Sequence, residues 1–254
     1  MKKIGVILLS GGLDSTTVAA LALKQGVELT GITVRYGQKH SREIDSAIQI
    51  ARILKIKHEV VDISFFKKLA WYSALTNGDS FSIPHKRPTS DMAKNVPITY
   101  VPLRNTFFVT LAAALVESQA LNLIENNQIA PEQVQASIFI AANSIDYSGY
   151  PDCRPEYYRQ MSKALFLGSK LGTQYGQTIK LETPIISMTK AEIIKLAFSL
   201  KAPLAHTWSC YEGGEAPCGK CDSCLIRAAG FRQAGYPAPS LNGPTKEHDH
   251  AKGK

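Results

Sequence analysis

The sequence predicts an α/β fold, a parallel sheet with helices on both faces, followed by a small metal-binding segment near the C-terminal end. Three observations predict it. Short apolar runs without polar alternation recur along the 254 residues, as in strands buried on both faces. Helix-period segments separate these runs, which implies parallel strands joined by crossovers. Four cysteines, Cys210, Cys218, Cys221 and Cys224, crowd into one polar loop.

Taken in order, residues 4–9 read as a buried strand that ends in the turn Ser10-Gly11-Gly12. Residues 16–24 are rich in Ala and Leu and read as a helix closed by Gly26. A second apolar run, 29–34, completes a βαβ unit. The alternation continues with a helix over 41–54, a strand over 59–63, an apolar run over 98–101 leading into a helix over 105–118, and a strand over 137–142. Pro155 suits the first turn of a helix running to about 170. Thr189 and Glu192 form a capping box for a helix ending near 200. Residues 71–95 and 122–135 lack a period and are expected as surface loops or short helices. This divides the chain into an α/β domain over 1–204, a metal-binding subdomain packed on it over 205–240, and a flexible tail over 241–254. The His248-Asp249-His250 triplet in that tail reads as solvated rather than metal-binding.

Composition narrows the function. No uninterrupted apolar stretch approaches the roughly 20 residues that cross a bilayer, so a membrane span is excluded on length. The start, Met1-Lys2-Lys3 and a short apolar run, lacks the ~7–15-residue core of an export signal. A cytoplasmic, reducing compartment is therefore expected, where clustered thiolates hold metal more often than they form disulfides. The net charge of +8 and pI near 9.2 raise the prospect of a polyanionic partner. Yet Lys and Arg are spread along the chain with no basic block interleaved with aromatics, so no stable nucleic-acid complex is expected.

The turn after the first strand is an anion site by position. Free N–H groups and the positive end of a helix dipole meet there, and glycines let the backbone approach a phosphate. Asp14 would repel phosphate unless a divalent cation such as Mg2+ bridges them. No lysine closes the loop as in a Walker motif, and G-x-G-x-x-G is absent. The run Ser10-Gly11-Gly12-Leu13-Asp14-Ser15 resembles the SGGxDS signature of the PP-loop ATP pyrophosphatases. That resemblance implies a Rossmann-like, adenine-nucleotide-hydrolase type of sheet and ATP binding by Leu9, Ser10, Gly11, Gly12, Leu13, Asp14, Ser15, Thr16, Thr17 and Arg104. It also implies catalytic roles for Asp14 and for Lys190, which lies in a later Pro and Lys-x-Glu pattern. Lys190 alternatively reads as an ordinary exposed lysine in a first helical turn.

The cysteines follow C-x7-C-x2-C-x2-C among Gly, Pro and Lys. Four thiolates in tight loops can close around one tetrahedral Zn2+, with no open position, so a structural role is expected. An iron–sulfur cluster is the rival, though the C-x3-C-P continuation is missing after Cys224. Cys153 stands apart and reads as a buried or loop thiol.

Further segments, Tyr36-Gly37-Gln38, Val101-Pro102-Leu103-Arg104-Asn105, the run from Asp146 to Pro155 and the run from Trp208 to Cys224, resemble the 7-cyano-7-deazaguanine synthases, the QueC family, over residues 3–239. The resemblance implies a ligase that uses ATP with Mg2+ to convert 7-carboxy-7-deazaguanine and ammonia to a nitrile, with one structural zinc and a homodimeric assembly. Within the resembling segments, Asp146 and Asp152 are candidates to accept the base N–H groups, and Arg154 or Arg104 to pair with the substrate carboxylate. Alternatively Asp146 and Arg154 pair with each other. Leu103 stands where the family has glycine, and residues 122–135 are longer than its norm. Another PP-loop activity, such as tRNA thiolation, and a zinc-ribbon nucleic-acid-binding protein are the competing functions.

Overall fold

The computed structural model describes residues 1–38, 42–85, 95–145 and 150–239. Strands β1 (Lys2–Leu8), β2 (Glu28–Arg35), β3 (Lys57–Asp62), β4 (Val134–Phe139) and β5 (Lys180–Glu182) form one sheet in the order β3-β2-β1-β4-β5. Every pairing is parallel, with Ile4 of β1 opposite Glu28 on one side and Ala136 on the other. The chain builds outward from β1 to β3, then returns to place β4 on the other side of β1. That reversal opens a crevice at the carboxyl ends of β1 and β4, the place where such sheets bind ligands.

Six helices cover the sheet among the described residues: α1 (Leu13–Lys24), α2 (Arg42–Leu54), α3 (Arg104–Leu121), α4 (Pro155–Gly168), α5 (Lys190–Ser199) and α6 (Asp222–Ala234), apart from single turns. The period of two along each strand assigns them to faces. Ile4 and Val6 of β1, Ile32 of β2 and Ile138 of β4 pack with Val109, Ala112 and Val116 of α3 and Tyr158 of α4. On the opposite face Ile7, Leu29 and Phe139 pack with Val18 of α1, Ile50 of α2, Ile193 of α5 and Phe231 of α6. Full burial of side chains of this size contributes about 1.5–3 kcal/mol each. The parallel sheet with helices on both faces is thus the expected architecture.

Several boundaries differ from expectation. β4 spans Val134–Phe139 rather than the expected 137–142: pairing with β1 begins at Lys2 opposite Val134, and the apolar run continues past the sheet as Ile140 and Ala142, still buried in the core. Residues 98–101 form a turn. At 122–126 the chain continues α3 as a wide helical turn, and Glu125 there takes a hydrogen bond from Tyr175 Oη (2.7 Å) and an ion pair from Lys170 (2.5 Å). The residues expected as a tail, 241–254, including His248-Asp249-His250, lie outside the described residues.

The length argument against a membrane span needs correcting. Arg104–Asn126 is 23 residues long with mean hydropathy 1.6, long and apolar enough to cross a membrane by those measures alone. Its apolar stripe is used inside the protein, against β1 and β4.

Candidate active site and metal centre

A cavity of about 290 Å3 opens at the β1–β4 crevice, walled by Ser10, Gly12 and Asp14 from the first loop, Tyr36 after β2, Arg104 and Phe108 of α3, Lys190 of α5 and Arg227 of α6. The phosphate loop is held tightly. Gly11 has φ +78°, and a Cβ there would strike the Glu43 carbonyl and stand 2.9 Å from Ala47 N, so only glycine fits. The Ser10 and Ser15 hydroxyls bond each other at 3.0 Å, and Ser15 Oγ accepts from Ser10 N at 3.2 Å. Gly12 caps α1 without a side chain, which leaves first-turn N–H groups available to a ligand.

The predicted loop residues divide. Leu9, Ser10, Gly12, Leu13 and Asp14 line the cavity. Ser15, Thr16 and Thr17 are buried away from it, since their hydroxyls donate to the carbonyls of Gly12 (3.2 and 2.8 Å) and Leu13 (2.8 Å). Gly11 contributes shape, not wall.

Lys190 is not an exposed first-turn lysine. It is 8 % exposed, and its Nζ donates to both carboxylate oxygens of Asp14, at 2.8 and 2.7 Å. The capping box is formed as expected, Thr189 Oγ1 accepting from Glu192 N and the Glu192 carboxylate accepting from Thr189 N at 2.7 Å. Gly230 of α6 makes room for the lysine stem, because a Cβ there would collide with Lys190 Cγ.

The opposite end of the cavity is aromatic. The Arg104 guanidinium lies 5.8 Å from the Tyr36 ring and 5.9 Å from the Phe108 ring. Burial opposes its charge, but Tyr36, Tyr150 and Asp152 around it prevail and raise its pKa. Burial pushes the Tyr36 phenol up to about 12. Cys153, buried beside Asp152, is pushed up to about 11, chiefly by burial, so it stays a thiol at neutral pH. Burial also raises Asp152, against the pull of Arg104 and Asn105. Arg154 takes the N-cap of α4, exposed and outside the cavity wall, because Pro155 fixes the first turn beyond it. Asp146 lies outside the described residues, so its pairing with Arg154 is not seen.

Beside the phosphate loop the four cysteines converge. All four Sγ atoms lie within 4.8 Å of one another, with Cys218 to Cys224 at 4.0 Å. A tetrahedral ion with bonds of about 2.3 Å needs sulfurs about 3.8 Å apart, so the quartet fits one ion. Cys210 Sγ accepts from Cys218 N, and Cys218 Sγ from Cys221 N, each at 3.3 Å, which favours thiolates. The neighbouring thiols of Cys221 and Cys224 hold Cys210 well below the ordinary thiol range. Trp208 joins the two sites: its backbone N–H donates to Gly11 O at 2.9 Å and its indole N–H to Cys210 O at 3.0 Å.

Sequence reasoning missed Tyr36 and Phe108 as cavity wall, and Gly230 and Arg227 altogether. Only tertiary packing brings these residues to the crevice. An arginine three residues beyond the last cysteine was the available signal for Arg227.

The sheet order and the glycine–serine loop define a PP-loop α/β protein. A family model described as Queuosine biosynthesis protein QueC matches residues 4–235, and the chain belongs to that family. It is 44% identical over 238 residues to the 7-cyano-7-deazaguanine synthase of Thermoplasma acidophilum, covering 94% of this chain and 91% of the relative. It is 43% identical over 230 residues to that of Picrophilus torridus, with 91% and 87% covered. With the synthase of Microcystis aeruginosa it shares 42% over 238 residues, with 93% and 94% covered.

Proposed function

We propose that this protein is an ATP-dependent 7-cyano-7-deazaguanine synthase, a carbon–nitrogen ligase acting on 7-carboxy-7-deazaguanine and ammonia. The observation that carries the reading is the uncapped start of α1 facing the crevice beside the Asp14–Lys190 pair. In this reading a substrate carboxylate oxygen attacks the α-phosphorus of ATP, and pyrophosphate departs toward the N–H groups of the loop. Ammonia then adds to the acyl carbon, and AMP leaves to give an amide. The amide oxygen is activated by a second ATP, and loss of AMP and two protons yields the nitrile. The protein contributes position and charge neutralisation rather than a covalent nucleophile.

Leu9, Ser10, Gly12, Leu13 and Asp14 are assigned to ATP, with Gly11, Ser15, Thr16 and Thr17 shaping the loop. Lys190 neutralises the departing charge, and Mg2+ bound with ATP competes for Asp14. Arg104 pairs with the substrate carboxylate, and Asp152 and Asp146 are assigned to the base, with Arg154 at the α4 cap at most guiding entry. The quartet Cys210, Cys218, Cys221 and Cys224 is assigned to one structural Zn2+. An iron–sulfur cluster spreads its thiolates over several irons, whereas these four converge on one point. The metal-binding subdomain is assigned to 205–240, and the active assembly in the cytoplasm is a homodimer. The test is AMP and pyrophosphate release from ATP on adding 7-carboxy-7-deazaguanine and ammonium. Release indifferent to that acid sinks the reading in favour of another PP-loop activity.

A further inference from the structure

We propose that Arg227 is a pyrophosphate ligand, a second buried cation working beside Lys190. The assignment rests on the ATP-cleaving reading above and extends it to a residue on α6. Arg227 is 9 % exposed and lies in the cavity wall. Its Nη1 donates to Thr207 Oγ1 at 2.9 Å and Ser209 Oγ at 3.4 Å, and its Nη2 to Leu204 O at 3.4 Å. All three acceptors are neutral. Among the described residues no carboxylate lies within 4 Å of the guanidinium.

Burying a cation is costly, and here burial lowers Arg227 to about 10 against the opposing pull of Asp14 and Cys224, neither of them in hydrogen-bond contact with it. Asp14 acts on it only at a distance, because both of its oxygens bond Lys190. Arg227 and Lys190 both stand near Asp14 at the start of α1, whose dipole adds further positive potential, a setting that favours a polyanion. Three of the five guanidinium protons are used, and the Nε proton and one Nη2 proton have no partner among the described residues, a pair suited to two phosphoryl oxygens. The neutral anchors set the aim of the fork, and the cysteine loop sets its place, since Cys221 is the N-cap of α6 and Arg227 follows Cys224 by about one turn.

A purely structural arginine clamping 204–209 would leave pyrophosphate affinity alone. Calorimetric titration of the metal-loaded protein with magnesium pyrophosphate and, separately, with AMP distinguishes the two. R227Q is expected to weaken pyrophosphate binding by about tenfold to a hundredfold and AMP binding by less than about threefold, with metal content retained. R227K, which keeps the charge but loses the fork, is expected to fall between. It carries the test should R227Q not fold. Pyrophosphate affinity unchanged in the folded variant, or lost equally with AMP affinity, overturns the proposal. Wild-type protein that binds no pyrophosphate overturns the ATP-cleaving reading as well, whereas wild-type binding matched by R227Q overturns the Arg227 assignment alone.

Discussion

The two ends of the cavity are built by different means. At the phosphate end, a single loop between β1 and α1 is braced by Gly11 in the left-handed region, where glycine is at ease, and by short polar bonds within five residues. At the aromatic end, the turn before α3 also adopts a left-handed conformation, but Leu103 occupies it, φ +55°, with its side chain 65 % exposed. The first end tolerates no side chain and has none. The second carries strain with no compensating burial, which teaches that the rim tolerates a backbone conformation that the packed loop could accept only from glycine.

The largest way to break this comparison is to disrupt the cysteine quartet, and with it the metal proposed there, beneath the phosphate end. Cys221→Ser or strong chelation is expected to release one equivalent of metal and remove several kcal/mol of stability. At about 2–4 °C per kcal/mol for a chain of this size, the calorimetric Tm drops by roughly 10 °C or more. ATP binding should fall with it, because Trp208 ties the Cys210 backbone to Gly11. Next in size, Lys190→Met is expected to lower kcat/KM for ATP by about 10²–10³. Gly230→Ala should reproduce a weaker form of that loss and cost about 1–3 kcal/mol in denaturant unfolding, since its Cβ must displace the lysine stem. A normal Lys190 phenotype in Gly230→Ala would show that α6 does not fix the lysine.

At the rim the expectation reverses. Leu103→Gly should stabilise the fold by about 1 kcal/mol by relieving the left-handed leucine, read as a higher urea midpoint. The smallest effect is one of pH, at β3. Burial lowers the pKa of His58, whose Nε2 lies 2.7 Å from Thr33 Oγ1. The folded protein therefore binds fewer protons than the unfolded chain below the ordinary histidine value of about 6.5. Stability from this group is present above that value and lost as pH falls through the lowered one. His58→Gln should flatten that part of the pH–stability curve.

Much of the fold was legible because its signals are local. The apolar run 4–9, the glycines after it and the Thr189–Glu192 box are complete within a few residues, and each formed as its chemistry requires. β5, Lys180–Glu182, was missed because three residues carry no period, and its place is fixed by pairing with β4. α6 was hidden because its buried side include Arg227 and Gly230, which break the apolar stripe that marks a helix. In the site, the loop and the cysteines were readable as runs. The cavity wall was not, since Tyr36, Arg104, Lys190 and Arg227 come from four elements that only the sheet order brings together.

The hydrogen bond from Trp208 to Gly11 has a consequence for how the chain is made. The phosphate loop leaves the ribosome some two hundred residues before its brace, its lysine and its arginine. Until those residues emerge the nascent chain carries an unbraced glycine turn, which gains the Trp208 contact only once α6 and the segment before it are in place.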